Sequence, residues 1–276
     1  MTRCGYVAIV GQPNVGKSTL LNQLLGHKIS ITSRKPQTTQ QRILGIHTQE
    51  NVQIIYMDTP GLSSRTRRSV SQQSVVRDAF HGINVIVWVV DAKRVPQNPW
   101  VFSQLPAASV PLILAMNKID RLRDRRVLLA SIETIARTFH YYAIIPLSAK
   151  TGEQTDVLER RITECLPEAP FCFPPGQLTD RSDEWMASEM IREKLMRLLG
   201  QELPYVSAVT IVMFIRSPQI IKISAIIWVE KQGQKGIVIG QKGLRLKEIG
   251  QQARQDMEHY FKQKVFLQLW VKIKSQ

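Results

Sequence analysis

The chain has 276 residues, more than one hydrophobic core ordinarily serves, which predicts two domains. Its 37 lysines and arginines against 22 acidic residues give a formal net charge of +15, which points to phosphates, nucleic acid or an anionic membrane surface. Three scattered cysteines without CxxC spacing exclude a disulfide framework and a cysteine zinc site; with no export signal and no run near 18 apolar residues, a reducing cytoplasmic setting is expected.

The first apolar run, "YVAIV" from Tyr6, predicts a buried strand. It leads through "GQPNVGKS", Gly11 to Ser18, into "STLLNQLLG", whose leucines at 20, 21, 24 and 25 have helical spacing. "VQIIYMD", "INVIVWVVD", "VPLILAMN" and "YAIIPLS" repeat the strand pattern and "RRVLLASIETIARTF" the helical one. Residues 1–165 are therefore expected to form a mostly parallel α/β sheet with helices on both faces. "RILGIHT" departs from this, since only "QEN" separates it from "VQIIYMD" and forces an antiparallel hairpin at one edge. Prolines at 167, 170, 174 and 175 remove helix donors and favour an extended path, making 166–182 an interdomain linker. In 183–276 the patterns run helix, strand, strand, helix, glycine loop, helix and strand, with the last helix from about Leu244 to Phe261.

Four segments carry chemistry, each at the C-terminal end of an expected strand. "GQPNVGKS" has GxxxxGK[ST] spacing between a strand and a helix. Gly11 and Gly16, with Gln12, Pro13, Asn14 and Val15 between them, let backbone N–H groups curl around a β-phosphate. Lys17 brings a point charge to the β- and γ-oxygens, and the Ser18 hydroxyl can hold Mg²⁺. Asp58 ends its strand and begins "DTPG"; its carboxylate can reach Mg²⁺ through water, with Thr59 and Pro60 leading to Gly61 near a γ-phosphate. In "NKID", Asn117, Lys118, Ile119 and Asp120, the aspartate can accept two N–H donors from guanine and none in that geometry from adenine. "SAK", Ser148, Ala149 and Lys150, can set the Ala149 N–H against the guanine oxygen. Singly, "DTPG" is a turn and "NKID" a capped helix start; four in this order are specific.

That set resembles the TRAFAC-class GTPases over residues 5–165, which implies GTP rather than ATP. The resemblance also implies a first-switch threonine that closes on Mg²⁺ and the γ-phosphate. "SRKPQTTQQR" is the matching segment, with Thr39 the better candidate and Thr38 the next, so that Ser18, Thr39 and Asp58 surround the metal. Ras-like members place a glutamine just after DxxG, whereas Leu62 stands here and has no polar side-chain group to orient water. Members with an apolar residue at this point often carry an asparagine in the phosphate loop that helps bind K⁺. Asn14 occupies that position, with Arg34 and Arg42 as alternative contributors.

"VIGQKG", near the carboxyl end, lacks a hydroxyl after its lysine and a strand-terminal aspartate, so it is not a second triphosphate loop. Gly240 and Gly243 flank Gln241 and Lys242 at GxxG spacing, and Arg245 and Lys247 follow in the expected helix. This resembles a type II KH domain, whose glycines let the backbone approach a single strand of about four nucleotides. From Lys231 to Lys274 ten basic residues face three acidic ones, as salt-dependent RNA binding requires. Ile239 and Leu244, beside the loop, could offer base-contacting surface, but their composition leads us to expect them in the core.

A GTPase joined to a type II KH domain resembles the Era family, and the match extends through "SITSRKPQTT", "DTPGL", "LPEAP", "TDRSDEWMASEMIREKLMRLLGQELPY", "GQKGIVIGQKG" and "LWVKIKS". The resemblance implies a P-loop GTPase domain with a mostly parallel sheet and a small α+β KH domain. It implies a switch that hydrolyses GTP to GDP with Mg²⁺, K⁺ being an open second cation. Its expected partners are the 3′ region of 16S rRNA and the 30S subunit, in small-subunit assembly, with peripheral inner-membrane association and a monomeric state. A membrane or tRNA-modification GTPase with a carboxyl-terminal protein adaptor remains the alternative from composition.

Overall fold

The computed structural model describes residues 1–32, 43–58, 82–94, 110–137, 139–200 and 208–274. By their contacts these fall into two compact units, residues 1–30 with 43–180, and residues 31–32 with 181–274.

In the first unit the Val- and Ile-rich runs become strands because branched side chains pack well on a sheet buried on both faces. They are β1 (Arg3–Gly11), β2 (Ile43–Gln49), β3 (Val52–Asp58), β4 (Ile83–Asp91), β5 (Leu112–Asn117) and β6 (Ala143–Pro146). The sheet order is β2-β3-β1-β4-β5-β6, parallel throughout except that β2 runs antiparallel to β3 at the edge. The short "QEN" connection demands this, and Glu50 makes the turn with φ 49°. Helices α1 (Lys17–Leu25), α2 (Arg126–Ala136) and α3 (Thr155–Cys165) accompany the sheet. Trp88, Leu114 and Met116 centre a core to which Ile119 and Ile135 add. Register sets Ile9 opposite Asp58 and Asp91 opposite Asn117, which gathers the functional strand ends along one edge.

Residues 166–180 form no helix and turn at Pro174–Gln177, and they are packed rather than free. Gln53 explains much of this: its amide nitrogen donates to the Phe173 carbonyl (2.8 Å), and its amide oxygen accepts from the backbone N–H groups of Cys172 (2.9 Å) and Phe173 (3.0 Å). Phe171 and Phe173 pack on the core, the Ile46 N–H donates to the Leu178 carbonyl (2.8 Å), and the first unit thus runs to Asp180.

The second unit contains α4 (Asp183–Leu198), β7 (Ala208–Arg216), β8 (Ile220–Val229), α5 (Gln232–Ile239), α6 (Leu244–Phe261) and β9 (Lys264–Ile273). With Gly240–Gly243 between α5 and α6, the order is the one the sequence predicts for a type II KH domain. β8 is central, antiparallel to β7 and parallel to β9. Ile249, Ala253 and Met257 form the buried stripe of α6, one helical face at i, i+4 and i+8. Leu244 is 64% exposed, which corrects its expected place in the core: it begins α6, outside that stripe. Charges inside this unit are paired. Lys194 of α4 meets Asp256 of α6, and fully buried Glu193 binds Arg197 (2.8 Å) and the N–H (3.0 Å) and hydroxyl (3.2 Å) of Thr32. No helix among the described residues is long and apolar enough to cross a membrane.

Candidate functional site

The first site lies where β1, β3, β5 and β6 end. Gly16 precedes α1 with φ 103°, and a Cβ there would sit 2.3 Å from Asn117 Nδ2, so only glycine fits. That approach exists because Asn117 is a strut. Its Nδ2 donates to the Val15 carbonyl (2.8 Å), while its Oδ1 accepts from the N–H groups of Lys118 (2.7 Å) and Ala149 (2.9 Å). One buried amide therefore ties together the phosphate loop, "NKID" and "SAK". Lys118, in the left-handed region at φ 70°, reaches back to the Asn14 carbonyl (2.6 Å) and to Asp91 Oδ2 (2.8 Å). Ser148 Oγ donates to Asp120 Oδ1 (2.8 Å), which orients the carboxylate that would read the base. The Ala149 N–H, expected to face guanine, is held by Asn117 Oδ1 in this arrangement.

At the phosphate end Lys17 is buried, its Nζ donating to the carbonyls of Gly11 (3.1 Å) and Gln12 (3.0 Å). Burial pulls its ammonium below the ordinary lysine pKa, and the nearby charge of Asp58 opposes that shift. Asp58 is fully buried at the end of β3, where Oδ2 accepts from both Ser18 Oγ and Ser30 Oγ at 2.8 Å. Asn22 of α1 in turn fixes Ser30, accepting from its N–H (2.8 Å) and donating to its carbonyl (2.7 Å). A hydroxyl and a carboxylate are hard oxygen donors of the kind Mg²⁺ prefers, so Ser18 and Asp58 fit that ion. Asn14 is exposed within the loop at φ 65°. Ile119 is buried and Lys150 exposed. Thr38, Thr39, Thr59, Pro60, Gly61 and Leu62 lie outside the described residues, as do Arg34 and Arg42.

The second site is a groove of about 480 Å³ between α6 and β9. Gly240 (φ 73°) turns the chain so tightly that a Cβ would meet that of Arg245 at 2.6 Å. Lys242 continues the turn at φ 50°, and Gly243 opens α6 at the mouth of the groove. Gln241, Lys242, Arg245 and Lys247 are all exposed. Of these Lys247 lines the groove, whereas Arg245 is turned back by a hydrogen bond from its guanidinium to the Ile237 carbonyl (3.1 Å). The structure adds Leu246, Gly250, Gln251 and Arg254 from α6, and Leu267 and Leu269 from β9. The signal that could have found the helical set is its spacing: 243, 246, 247, 250, 251 and 254 form a single stripe.

A glycine-lysine loop joined by one asparagine to the "NKID" and "SAK" loops, followed by a GxxG groove, is the arrangement of a P-loop GTPase with an appended KH domain. Family models agree, one described as "50S ribosome-binding GTPase" matching residues 6–118 and one for the KH domain matching residues 202–276. GTPase Era of Coxiella burnetii (strain Dugway 5J108-111) is 55% identical over 276 residues, covering 99% of this chain and 94% of that protein. GTPase Era of Pseudomonas aeruginosa (strain LESB58) is 46% identical, covering 99% and 91%. The chain belongs to the Era family of GTPases. Among solved structures, Era in complex with MgGDPNP and nucleotides 1506–1542 of 16S ribosomal RNA is similar at a TM-score of 0.88 and 38% identity, covering 100% of this chain and 95% of that one. A variant of Aquifex aeolicus Era bound to GDP·AlF₄⁻ has a TM-score of 0.90 and 37% identity over the same shares.

Proposed function

We propose that this GTPase is a switch that binds the 3′ region of 16S rRNA through the groove beside Gly240–Gly243 and acts in assembly of the small ribosomal subunit. The carrying observation is full-length similarity to an Era structure that holds both MgGDPNP and that stretch of RNA. The groove supports it: two leucines floor it, while Lys247 and Arg254 supply charge for phosphates.

At the nucleotide, Asp120 reads guanine, Asn117 keeps the three loops in register, and Lys17 leaves the loop carbonyls for phosphate oxygens. Ser18 and, through water, Asp58 would hold Mg²⁺, which when bound neutralises charge on the β- and γ-phosphates. Asn14, exposed in the loop, supplies an oxygen to K⁺. Coupling between nucleotide and RNA runs along the chain itself. Ser30 is tied to Asp58, and two residues later Thr32 is tied to Glu193, so a displacement of one pulls on the other.

The test is RNA binding by the full chain with Gly240→Asp and Gly243→Asp, using an oligonucleotide of the 16S 3′ end. Affinity should fall steeply while GTP hydrolysis persists; undiminished affinity for this oligonucleotide would overturn the assignment. Equal hydrolysis rates in K⁺ and Na⁺ buffers would remove the potassium role, and equal RNA affinity with GDP and a non-hydrolysable GTP analogue would remove the coupling.

A further inference from the structure

Among the described residues, the helices of the second unit cover one face of its sheet. Along β8, Ile221, Ile223, Ala225, Ile227 and Val229 are fully buried on that side, so Lys222, Ser224, Ile226 and Trp228 stand on the other, where Lys222 is exposed and Trp228 half-buried while Ser224 and Ile226 are themselves buried. Parallel pairing sets Phe266 beside Lys222, Gln268 beside Ser224, Trp270 beside Ile226 and Lys272 beside Trp228. β7 adds Thr210 opposite Ile226 and Ile215 opposite Lys222. Phe266, Trp270 and Ile215 are 47%, 43% and 52% exposed, a large apolar showing for one small sheet.

Charge and shape identify what this face accepts. Lys222, Lys264 and Lys272 stand on it, and none of the three strands contains an aspartate or glutamate, so it offers cations alone. The aromatic rings are interleaved with those lysines. Phe266 lies beside Lys222, and Trp228 beside Lys272, two residues or about 7 Å along β9 from Trp270. Rings that stack bases, with lysines between them for phosphates, are what single-stranded nucleic acid requires. Polar groups within the face argue against a bilayer. Gln268 accepts from Ser224 Oγ (3.5 Å), and Thr210 accepts from Trp228 Nε1 (3.0 Å). Acyl chains would leave the remaining capacity of these groups without partners, whereas base edges would use it. A second copy of the chain would set lysines against lysines with no strand carboxylate between them.

We propose that this open sheet face is a second surface for single-stranded RNA, with bases stacking on Trp270 and Phe266 and phosphates held by Lys222, Lys264 and Lys272. It is independent of the groove, which opens on the helix side where Leu267 and Leu269 point.

The experiment titrates oligoadenylate containing 2-aminopurine onto the full chain in which Gly240→Asp and Gly243→Asp close the groove. Residual binding with quenched 2-aminopurine fluorescence is expected. Trp270→Ala with Phe266→Ala should weaken it by about tenfold, Trp270→Phe with Phe266→Tyr should restore most of it, and GTP hydrolysis should not change. Should the alanine pair disturb folding, Lys222→Glu with Lys272→Glu carries the same expectation and should cut the salt slope by about 1.4. Absence of residual binding, or residual binding indifferent to these substitutions, overturns the proposal. So does loss confined to anionic phosphatidylglycerol vesicles or to self-association in sedimentation.

Discussion

Asn117→Ala should loosen the nucleotide site even before nucleotide binds. The side chain is 2% exposed and makes three hydrogen bonds, of which the one to the Lys118 N–H is local. The other two bridge loops distant in sequence and end on the carbonyl of Val15 and the N–H of Ala149, both in buried residues. A buried group left without its partner costs about 1–3 kcal/mol, so the two together remove about 2–6 kcal/mol. For a unit of this size, about 3 kcal/mol lowers Tm by roughly 6–12 °C. The assay is thermal unfolding of nucleotide-free protein, with GDP affinity measured alongside. Gly16→Ala supplies an internal control because its new Cβ would collide with Asn117 Nδ2 itself. Placed on the Asn117→Ala background it should cost distinctly less than in the parent chain, the remainder being backbone strain. A variant that melts within about one degree of the parent, with additive substitutions, would refute the strut.

Ser30→Ala removes the Ser30 hydroxyl from Asp58 while Asn22 still holds the backbone, so Mg²⁺-dependent affinity for a fluorescent GDP should fall by about tenfold. An unchanged Mg²⁺ titration would deny Ser30 a part in setting the carboxylate. His47 pairs with Glu159 at 3.0 Å, and that hydrogen bond raises its pKa above 6.5, burial pulling the other way. The pair's contribution is therefore complete below about pH 6 and is lost as pH rises through the raised pKa. Tm should fall between about pH 6 and pH 8.5 by more in the parent than in Glu159→Gln; parallel profiles would contradict this. Asp120→Asn should move preference from guanine to xanthine nucleotides in competition binding, and unchanged preference would remove Asp120 from base recognition.

The sequence makes the nucleotide loops legible because their chemistry fixes both residue type and spacing within a few positions. A glycine, lysine and hydroxyl around a phosphate must be near neighbours. The groups that stiffen the site have no such signature. Ser30 meets Asp58 28 residues later, and Gln53 meets Phe173 after 120, so neither pairing leaves a local pattern. The proline-rich stretch after α3 was legible as non-helical, since proline removes helix donors, but its docking depends on Gln53. Strands were legible by composition and the hairpin by its short turn, whereas Leu244 misled because apolar character at a helix start does not choose its face.

Gly250 brings these limits to one residue. It ends the glycine-bounded stretch that begins at Gly236, and within a helix it is unfavourable by about 1 kcal/mol relative to alanine. It lies on the groove stripe of α6, where a Cβ would rest 3.4 Å from Leu269 Cδ1, an ordinary contact rather than a clash. Gly250→Ala should therefore raise the stability of the second unit by up to about 1 kcal/mol. The same methyl occupies the floor between α6 and β9, so affinity for the 16S 3′ oligonucleotide should fall, by roughly fivefold if about 1 kcal/mol of base contact is lost. Stability and binding then move in opposite directions, an outcome general loosening of the fold cannot produce. If both rise together, Gly250 is not the groove floor, and the RNA path must be sought elsewhere on the unit.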